Sequence, residues 1–166
     1  TYFLGRLYRY ITLLLGMKPN EHEYKVMGLA PYAKEKYFQK ALKVFEDTQY
    51  VKGLDFSFKN KPADLYFYFK DRLDGQRFDA VAGALQRYAE NLLVKWVKNA
   101  IKKTGLKNVC FAGGTAMNVK ATMEINKLKE VEEIFVCPSP GDESLAMGSA
   151  YVAMAEFCRK KKNYIV

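Results

Sequence analysis

Residues 108–144 read "NVCFAGGTAMNVKATMEINKLKEVEEIFVCPSPGDES", and this stretch decides the predicted fold. Two short apolar runs, near 108–112 and 132–137, are typical of buried strands, and a helical segment separates them. A long amphipathic helix from Phe78 precedes them, and a final helix, "DESLAMGSAYVAMAEFCRK", follows. The order helix, strand, helix, strand, helix predicts a parallel α/β arrangement in this half of the chain.

The first half of the chain carries a weaker pattern. Apolar spacing predicts a helix over residues 3–15, which Gly16 ends in a C-cap position. The other predicted segments, in chain order, are a turn-rich connection (17–37), a second helix (34–46), a strand or hairpin arm (50–60) and an irregular aromatic-rich link (61–77).

The glycine pair after the first apolar run is a candidate ligand site. In parallel sheets, ligands bind at the carboxyl ends of strands. Gly113 and Gly114 let a ligand approach the backbone closely, and N–H groups at a helix start favour phosphate or carboxylate. Thr115 is a candidate cap, and Asn118 can both donate and accept hydrogen bonds. The spacing is neither a P-loop nor a dinucleotide fingerprint, so a purely structural glycine turn remains an equal alternative.

An acidic pair follows the second apolar run. Asp142 can cap the last helix, and Glu143 then lies in its first turn, where negative charge is favourable. Alternatively, a carboxylate at the end of a strand can bind a metal or orient a polar substrate. The small residues at 146 and 148–150 predict that the last helix packs tightly on the sheet.

A third candidate is the segment "EHEYKVMGLAPYA", residues 21–33. Lys25 could neutralise a phosphate, and Gly28 could permit close approach of a nucleotide. The single histidine, His22, is more typical of a structural residue than of a ligand.

Composition restricts the possible classes of protein. The chain has 166 residues, of which 49% are hydrophobic, and no apolar run is long enough to span a membrane. The net charge of +9 comes from lysines scattered along helices, which favours solvated faces over a nucleic-acid surface. Three widely spaced cysteines (Cys110, Cys137 and Cys158) are expected to be reduced, mostly buried thiols of a cytoplasmic protein.

Three segments together resemble the carbamoyltransferase family, which includes nodulation protein U and antibiotic O-carbamoyltransferases. They are "GMKPNEHEYKVMGLAPYA", "CFAGGTAMNVKATMEINK" and "EEIFVCPSPGDESLAMGSAY", and they occur in the family's order. The resemblance covers most of the chain and is weakest around residues 45–75. It implies half of an actin-like, sugar-kinase (ribonuclease-H-like) ATPase domain, with a nucleotide held between two α/β halves.

The resemblance also implies a chemistry. In the family, a synthase-like domain makes carbamoyl-adenylate from carbamoyl phosphate and ATP. The actin-like domain then transfers the carbamoyl group to the hydroxyl of a small-molecule acceptor. Two histidines of an H-x-x-x-H motif and one aspartate hold a divalent metal, which is iron in characterised relatives.

Site residues can be carried over one at a time. Gly113, Gly114 and Asn118, with Thr115 between them, match the family's adenylate-binding segment. The stretch from Lys25 to Gly28 matches a loop near the nucleotide, and Asp142 matches the metal-binding aspartate.

The chain departs from a whole enzyme because it contains no H-x-x-x-H motif. We therefore expect residues 1–166 to be a single fragment, the second half of the actin-like domain. The upstream half and the synthase-like domain would be missing partners. We also expect an exposed hydrophobic face where the missing half docks, and no activity from the fragment alone.

Three other functions stay open. A tRNA-modifying threonylcarbamoyl transferase would suit the net charge of +9. A non-catalytic nucleotide-binding or scaffold module, or a sugar or acetate kinase of the same superfamily, would keep the fold with different chemistry.

Overall fold

The chain is a mixed α/β protein, mostly helical, in a computed structural model that describes residues 4–160. The helices are α1 (Leu4–Leu14), α2 (Glu23–Leu29), α3 (Glu35–Glu46), α4 (Leu65–Leu73), α5 (Phe78–Thr104), α6 (Val119–Asn126) and α7 (Ser144–Lys160). The strands are β1 (Gln49–Lys52), β2 (Asp55–Phe58), β3 (Asn108–Phe111) and β4 (Glu133–Val136), and 3-10 turns span Ala30–Tyr32 and Gly114–Met117. No helix in this described part is both long and apolar enough to cross a bilayer.

The long helix α5 is the centre of the core. It packs most extensively against α3 and also contacts α1, α2 and α6. Phe45 of α3 and Phe69 of α4 are fully buried beside it, with ring centroids 5.0 Å apart. Burying one large apolar side chain stabilises a fold by about 1.5–3 kcal/mol, so each of these two rings contributes on that order.

Glycines end the two helices that the sequence places most clearly. The predicted helix over 3–15 is confirmed as α1, although residue 3 lies outside the described range, and Gly16 follows it with a φ of 73°. Gly105 ends α5 with a φ of 72°, and its N–H donates to the Ile101 carbonyl at 2.8 Å. Both predicted helix ends are therefore confirmed.

The predicted hairpin arm is confirmed as the antiparallel pair β1–β2. In its register, Gln49 lies opposite Phe58. Two side chains of α5 attach the hairpin to the core: the Tyr88 hydroxyl donates to the Gln49 carbonyl at 3.0 Å, and the Trp96 ring N–H donates to the Leu54 carbonyl at 2.9 Å.

The parallel arrangement of the second half is also confirmed. Strands β3 and β4 pair in parallel, with Asn108 opposite Glu133 and Phe111 opposite Val136. Helix α6 lies between them in the chain and packs on α5. The two strands therefore end side by side, at the edge where the candidate motifs begin.

Two segments predicted to be irregular contain helices. The connection over 17–37 includes α2, whose Val26 is fully buried against the core. The link over 61–77 includes α4, where the Asp64 side chain caps the first turn by accepting from the Phe67 N–H at 3.1 Å. Both helices are short, so tertiary packing rather than a long periodic pattern stabilises them.

The burial predicted for the end of the chain is wrong. Strands β3 and β4 alternate between exposed and partly buried positions, apart from Phe111, which is buried, and Phe135 is 56% exposed. Helix α7 buries only Cys158. Of the other two cysteines, Cys110 is exposed and Cys137 is half-buried, so most of the thiols are not buried. All three are free.

Candidate functional site

Two loops meet at the carboxyl ends of the parallel strands. Residues 112–118 follow β3, and residues 137–143 follow β4. The Gly113 N–H donates to the Pro140 carbonyl at 2.7 Å, and the Cys137 N–H donates to the Phe111 carbonyl at 3.3 Å. The loops that carry the glycine motif and the acidic motif are 19 or more residues apart in sequence, and they are thus parts of one edge.

The glycine turn, residues 113–118, has a defined backbone. Gly113 has a φ of 94° and a ψ of 159°, a conformation that side-chain-bearing residues rarely adopt. The Ala116 N–H then donates to the Gly113 carbonyl at 2.8 Å, and the Asn118 N–H donates to the Thr115 carbonyl at 3.1 Å. A 3-10 turn therefore separates the glycine pair from α6.

The cap of α6 is Asn118, and the prediction that Thr115 caps this helix is wrong. The Asn118 side-chain oxygen accepts from the Ala121 N–H at 3.1 Å. The inserted 3-10 turn, Gly114–Met117, moves the helix start past Thr115. This places Asn118 at the junction of turn and helix.

Asn118 is buried and directs its hydrogen bonds inward. Its amide nitrogen donates to the Tyr8 hydroxyl at 2.9 Å and to the Gln86 side-chain oxygen at 3.2 Å. Its oxygen accepts from the Gln86 amide at 2.9 Å in addition to the cap bond. Both donors and both acceptor positions of the side chain are therefore engaged within the protein.

Tyr8 supplies the same cluster from α1. Burial raises the pKa of its hydroxyl well above the ordinary value, partly offset by the hydrogen bond from Asn118. The group is therefore a neutral phenol across the physiological range, and it donates to the Gln86 side-chain oxygen at 2.7 Å. The side chain is 9% exposed and also forms part of a cavity wall.

A mostly apolar cavity of about 190 Å³ lies beside the glycine turn. Gly114, Thr115 and Asn118 form one wall. The other walls come from α1 and α2, through Gly5, Tyr8, Glu23, Tyr24 and Met27. The structure therefore brings the first and third candidate segments, the glycine turn and residues 21–33, together, as a shared site requires.

The residues of α2 that reach this cavity are not the predicted ones. Lys25 is exposed and lies 5.8 Å from the Tyr24 ring centroid, and Gly28 is also exposed. Neither lines the cavity, whereas Glu23 and Met27 do. Their four-residue spacing on one helix face is the signal that could have found them, but it is visible only once the segment is known to be helical.

The two carboxylates of the acidic motif differ in their surroundings. The Ser139 hydroxyl donates to the Glu143 carboxylate, and this hydrogen bond holds the pKa of Glu143 below its usual range. Asp142 is exposed, and its side chain accepts no hydrogen bond from residues 4–160. Helix α7 begins at Ser144, so the predicted side-chain cap by Asp142 is not formed.

The surroundings of Asp142 bear on the predicted metal site. No group of three or more His, Cys, Asp or Glu side chains in the described part of the chain could hold a metal ion. An exposed, unengaged carboxylate can nevertheless provide one oxygen ligand. A metal at this position would take its remaining ligands from outside residues 4–160.

A second, open cleft of about 960 Å³ separates α7 from the outer face of the β3–β4 sheet. Cys110 and Phe135 lie on the sheet side, and Leu145, Tyr151 and Val152 lie on the helix side. The expected exposed hydrophobic face is therefore present; what docks on it stays a prediction.

Comparison with known families identifies one match. A family model described as the carbamoyltransferase N-terminus matches residues 1–151, which is most of the chain. The match includes the glycine turn, the acidic motif and helix α2.

Individual relatives agree with this match. The chain is 29% identical to an uncharacterized protein of Synechocystis over 96% of this chain and 28% of that protein. It is 28% identical to nodulation protein NolO of Bradyrhizobium diazoefficiens over 82% of this chain and 26% of that protein. A tRNA N6-adenosine threonylcarbamoyltransferase of Syntrophotalea carbinolica is 32% identical over 61% of this chain and 32% of its own length. The chain thus spans about a quarter to a third of these relatives.

Proposed function

This chain belongs to the carbamoyltransferase family, and we propose that it forms the second half of an actin-like (sugar-kinase, ribonuclease-H-like) ATPase domain. The domain transfers a carbamoyl group from carbamoyl-adenylate to the hydroxyl of a small-molecule acceptor. The upstream half of the domain and a synthase-like domain would be supplied by the rest of the native polypeptide, and the chain alone would be inactive.

One observation supports this proposal above the others. The glycine turn and the acidic loop meet where two parallel strands end, joined by the 2.7 Å hydrogen bond from Gly113 to Pro140. This edge is where open α/β sheets bind their ligands. A nucleotide on the turn would lie next to the loop that carries Asp142.

The proposed reaction is an acyl-type transfer. The acceptor oxygen bonds to the carbamoyl carbon, the bond from that carbon to the adenylate oxygen breaks, and AMP leaves with the electron pair. The acceptor proton passes to solvent. This chain would contribute by orienting the adenylate and the acceptor hydroxyl. Holding two reacting groups in contact can greatly lower the activation free energy of the transfer.

The glycine turn would hold the adenylate. Gly114 and Thr115 open the 3-10 turn, and the first N–H groups of a helical turn have no partner inside that turn. They can therefore donate to phosphate oxygens. Asn118 would keep the turn in place, and its predicted direct contact with the nucleotide stays a prediction, as do those of Lys25 and Gly28.

Asp142 would supply one ligand to a divalent metal, iron in the family's characterised relatives. The exposed carboxylate suits this role because Glu143 is already engaged by Ser139. When bound, such a metal polarises the carbamoyl carbonyl and stabilises charge in the transition state. Its histidine ligands would belong to another part of the native polypeptide.

The test separates the two steps of the proposed chemistry. The native polypeptide that carries this chain is incubated with ATP and carbamoyl phosphate, and pyrophosphate and AMP are measured. Pyrophosphate reports formation of the adenylate, and AMP reports release of the carbamoyl group to a hydroxyl, which is that of water when no acceptor is added. We expect both only when carbamoyl phosphate is present; ADP instead would indicate a kinase, and no turnover would contradict carbamoyl transfer.

Neighbouring carboxylates provide a matched pair of variants. Asp142→Asn should leave pyrophosphate formation intact and slow AMP release by about 100-fold, as expected for a lost metal ligand. Glu143→Gln changes the adjacent carboxylate in the same way and should keep most of the transfer rate. Equal losses of AMP release in the two variants would contradict the assignment of Asp142 as a metal ligand.

The tRNA-modifying function is the second candidate. The observation that favours it is the 32% identity to a tRNA N6-adenosine threonylcarbamoyltransferase over 61% of this chain. Binding of tRNA that weakens steeply between 50 and 200 mM salt would support this alternative, because phosphate contacts release counterions. Absence of tRNA binding together with carbamoyl-dependent AMP release would rule it out.

A further inference from the structure

We propose that Gln86, on α5, is a positioning residue that fixes the glycine turn in its ligand-binding shape without touching the ligand. This inference rests on the proposed function, since the turn is the proposed adenylate site. Gln86 is 32 residues from Asn118 in sequence and is 5% exposed. It does not line the cavity beside the turn.

The Gln86 and Asn118 amides form a reciprocal pair. The Gln86 nitrogen donates to the Asn118 oxygen at 2.9 Å, and the Asn118 nitrogen donates back to the Gln86 oxygen at 3.2 Å. The Tyr8 hydroxyl bridges both, since it donates to Gln86 at 2.7 Å and accepts from Asn118 at 2.9 Å. Three elements, α1, α5 and the glycine turn, are thereby joined at one point.

The orientation of both amides is determined by their other partners. The Ala121 N–H can only donate, so the Asn118 oxygen must face it. The Glu90 carboxylate accepts from the Gln86 nitrogen at 2.9 Å, so that nitrogen must face Glu90. Flipping either amide would set like groups against each other, and the cluster therefore has one arrangement.

The arrangement acts on the turn through Asn118. The same residue ends the 3-10 turn through its backbone N–H and opens α6 through its side chain. If Gln86 loses its amide, Asn118 keeps the cap bond but loses its partner on α5. The turn then has fewer restraints, while the apolar core around α5 remains filled.

Hydrogen exchange of the native polypeptide carrying this chain tests the inference. Gln86→Met keeps the volume and removes the amide. Leu85→Ala, at the neighbouring position on α5, destabilises the core and removes none of the hydrogen bonds of the cluster. Rates are normalised to the α5 amides. We expect the amides of Ala116, Asn118 and Ala121 to exchange about tenfold faster in Gln86→Met than in Leu85→Ala. Equal rates in the two variants would overturn the inference.

A second pair of variants covers the case in which Gln86→Met folds poorly. Gln86→Glu removes the donor to the Asn118 oxygen and places a carboxylate beside Glu90, so it should speed exchange at the turn. The double variant Gln86→Glu/Glu90→Gln restores the pair between positions 86 and 90 but not the donor to Asn118, so exchange at the turn should stay fast. A double variant that exchanges at the wild-type rate would contradict the role given to Gln86.

Added AMP separates this inference from the proposed function. In the wild type, AMP should slow exchange at the turn; no effect would refute the proposed adenylate site, while the comparison without nucleotide still decides the role of Gln86. Where AMP protects the wild type, Gln86→Met should need about tenfold more AMP for the same protection. Leu85→Ala should need no more AMP than the wild type for this protection. If both variants need the same AMP concentration, the positioning role of Gln86 would be overturned.

Discussion

Helices α5 and α7 differ sharply in burial, although both carry many apolar and small residues. Along α5, most positions from Ala80 to Val97 are buried under α1–α3 and α6. The buried polar side chains among them, Gln86 and Tyr88, have hydrogen-bond partners. Along α7, only Cys158 is buried, and Leu145, Tyr151 and Val152 are more than 60% exposed.

The difference shows that the spacing of apolar residues predicts a helix. It does not predict which other part of the protein packs against the apolar face of that helix. Small residues allow close packing, yet packing needs a second face within reach. For α5 the first half of the chain provides that face. For α7 the outer face of the β3–β4 sheet lies across an open cleft, and both surfaces stay apolar and exposed.

The largest expected effect comes from the same substitution made on both helices. Leu85→Ala, at a fully buried position of α5, should lower the free energy of unfolding by about 3–5 kcal/mol. Leu145→Ala, at a position of α7 that is 70% exposed, should change it by less than about 0.5 kcal/mol. Urea denaturation measures both values. A large loss at Leu145 would mean that α7 is covered in solution, and the comparison would fail.

Two helix caps allow a second comparison between a buried and an exposed position. Asn118→Ala removes a cap and the centre of a buried cluster, so the loss should be about 2–3 kcal/mol. Asp64→Ala removes an exposed cap only and should cost about 1 kcal/mol. Thermal unfolding of the two variants under one buffer gives the difference, which is the contribution of the cluster. Similar losses would show that the cluster adds no stability.

Alkaline pH should affect the core around α5. Burial raises the pKa of Tyr88 from 10.0 to about 12, so the folded state favours the neutral phenol. The stabilisation is complete below pH 10 and is lost as the pH rises through 12, by up to about 2 kcal/mol. Unfolding free energies between pH 9 and pH 12 should fall less steeply in Tyr88→Phe than in wild type. Parallel curves would assign the alkaline loss to other groups.

Glycine-to-alanine substitutions give the smallest effects, with opposite signs on the two helices. An added Cβ at Gly83 of α5 would lie 2.5 Å from the Ala33 Cβ, so Gly83→Ala should destabilise by about 1–2 kcal/mol. Nothing lies within 4 Å of the same atom at Gly148 of α7. Gly148→Ala should therefore stabilise by about 0.5–1 kcal/mol through helix propensity. The same sign at both sites, from chemical denaturation, would contradict the packing described for α5.

The sequence predicts the elements whose signals are local. Long apolar periodicity indicates α5, alternation indicates the β1–β2 hairpin, and a glycine after the last periodic residue ends α1 and α5. The apolar spacing does not indicate helices α2 and α4, because each has fewer than ten residues and depends on contacts with distant segments. The burial of α7 cannot be read from its composition, since it depends on which surfaces lie beside it.

The sequence likewise predicts only part of the candidate site. Parallel strand pairing places the glycine turn beside the acidic loop, and both were identifiable from their positions after apolar runs. The cluster of Tyr8, Gln86 and Asn118 was not, because its members are up to 110 residues apart. The 3-10 turn that moves the cap from Thr115 to Asn118 has no clear sequence signal. Such details depend on three-dimensional contacts.

The most direct test of the account is the ratio of AMP to pyrophosphate released by the native polypeptide that carries this chain, given ATP and carbamoyl phosphate. Gly113→Ala is compared with Gly53→Ala, because both glycines have a positive φ, 94° and 62°, and only Gly113 lies at the proposed adenylate site. The account predicts that the ratio falls at least tenfold in Gly113→Ala and stays at the wild-type value in Gly53→Ala. An unchanged ratio in Gly113→Ala, or an equal fall in both variants, would contradict an adenylate site at the glycine turn.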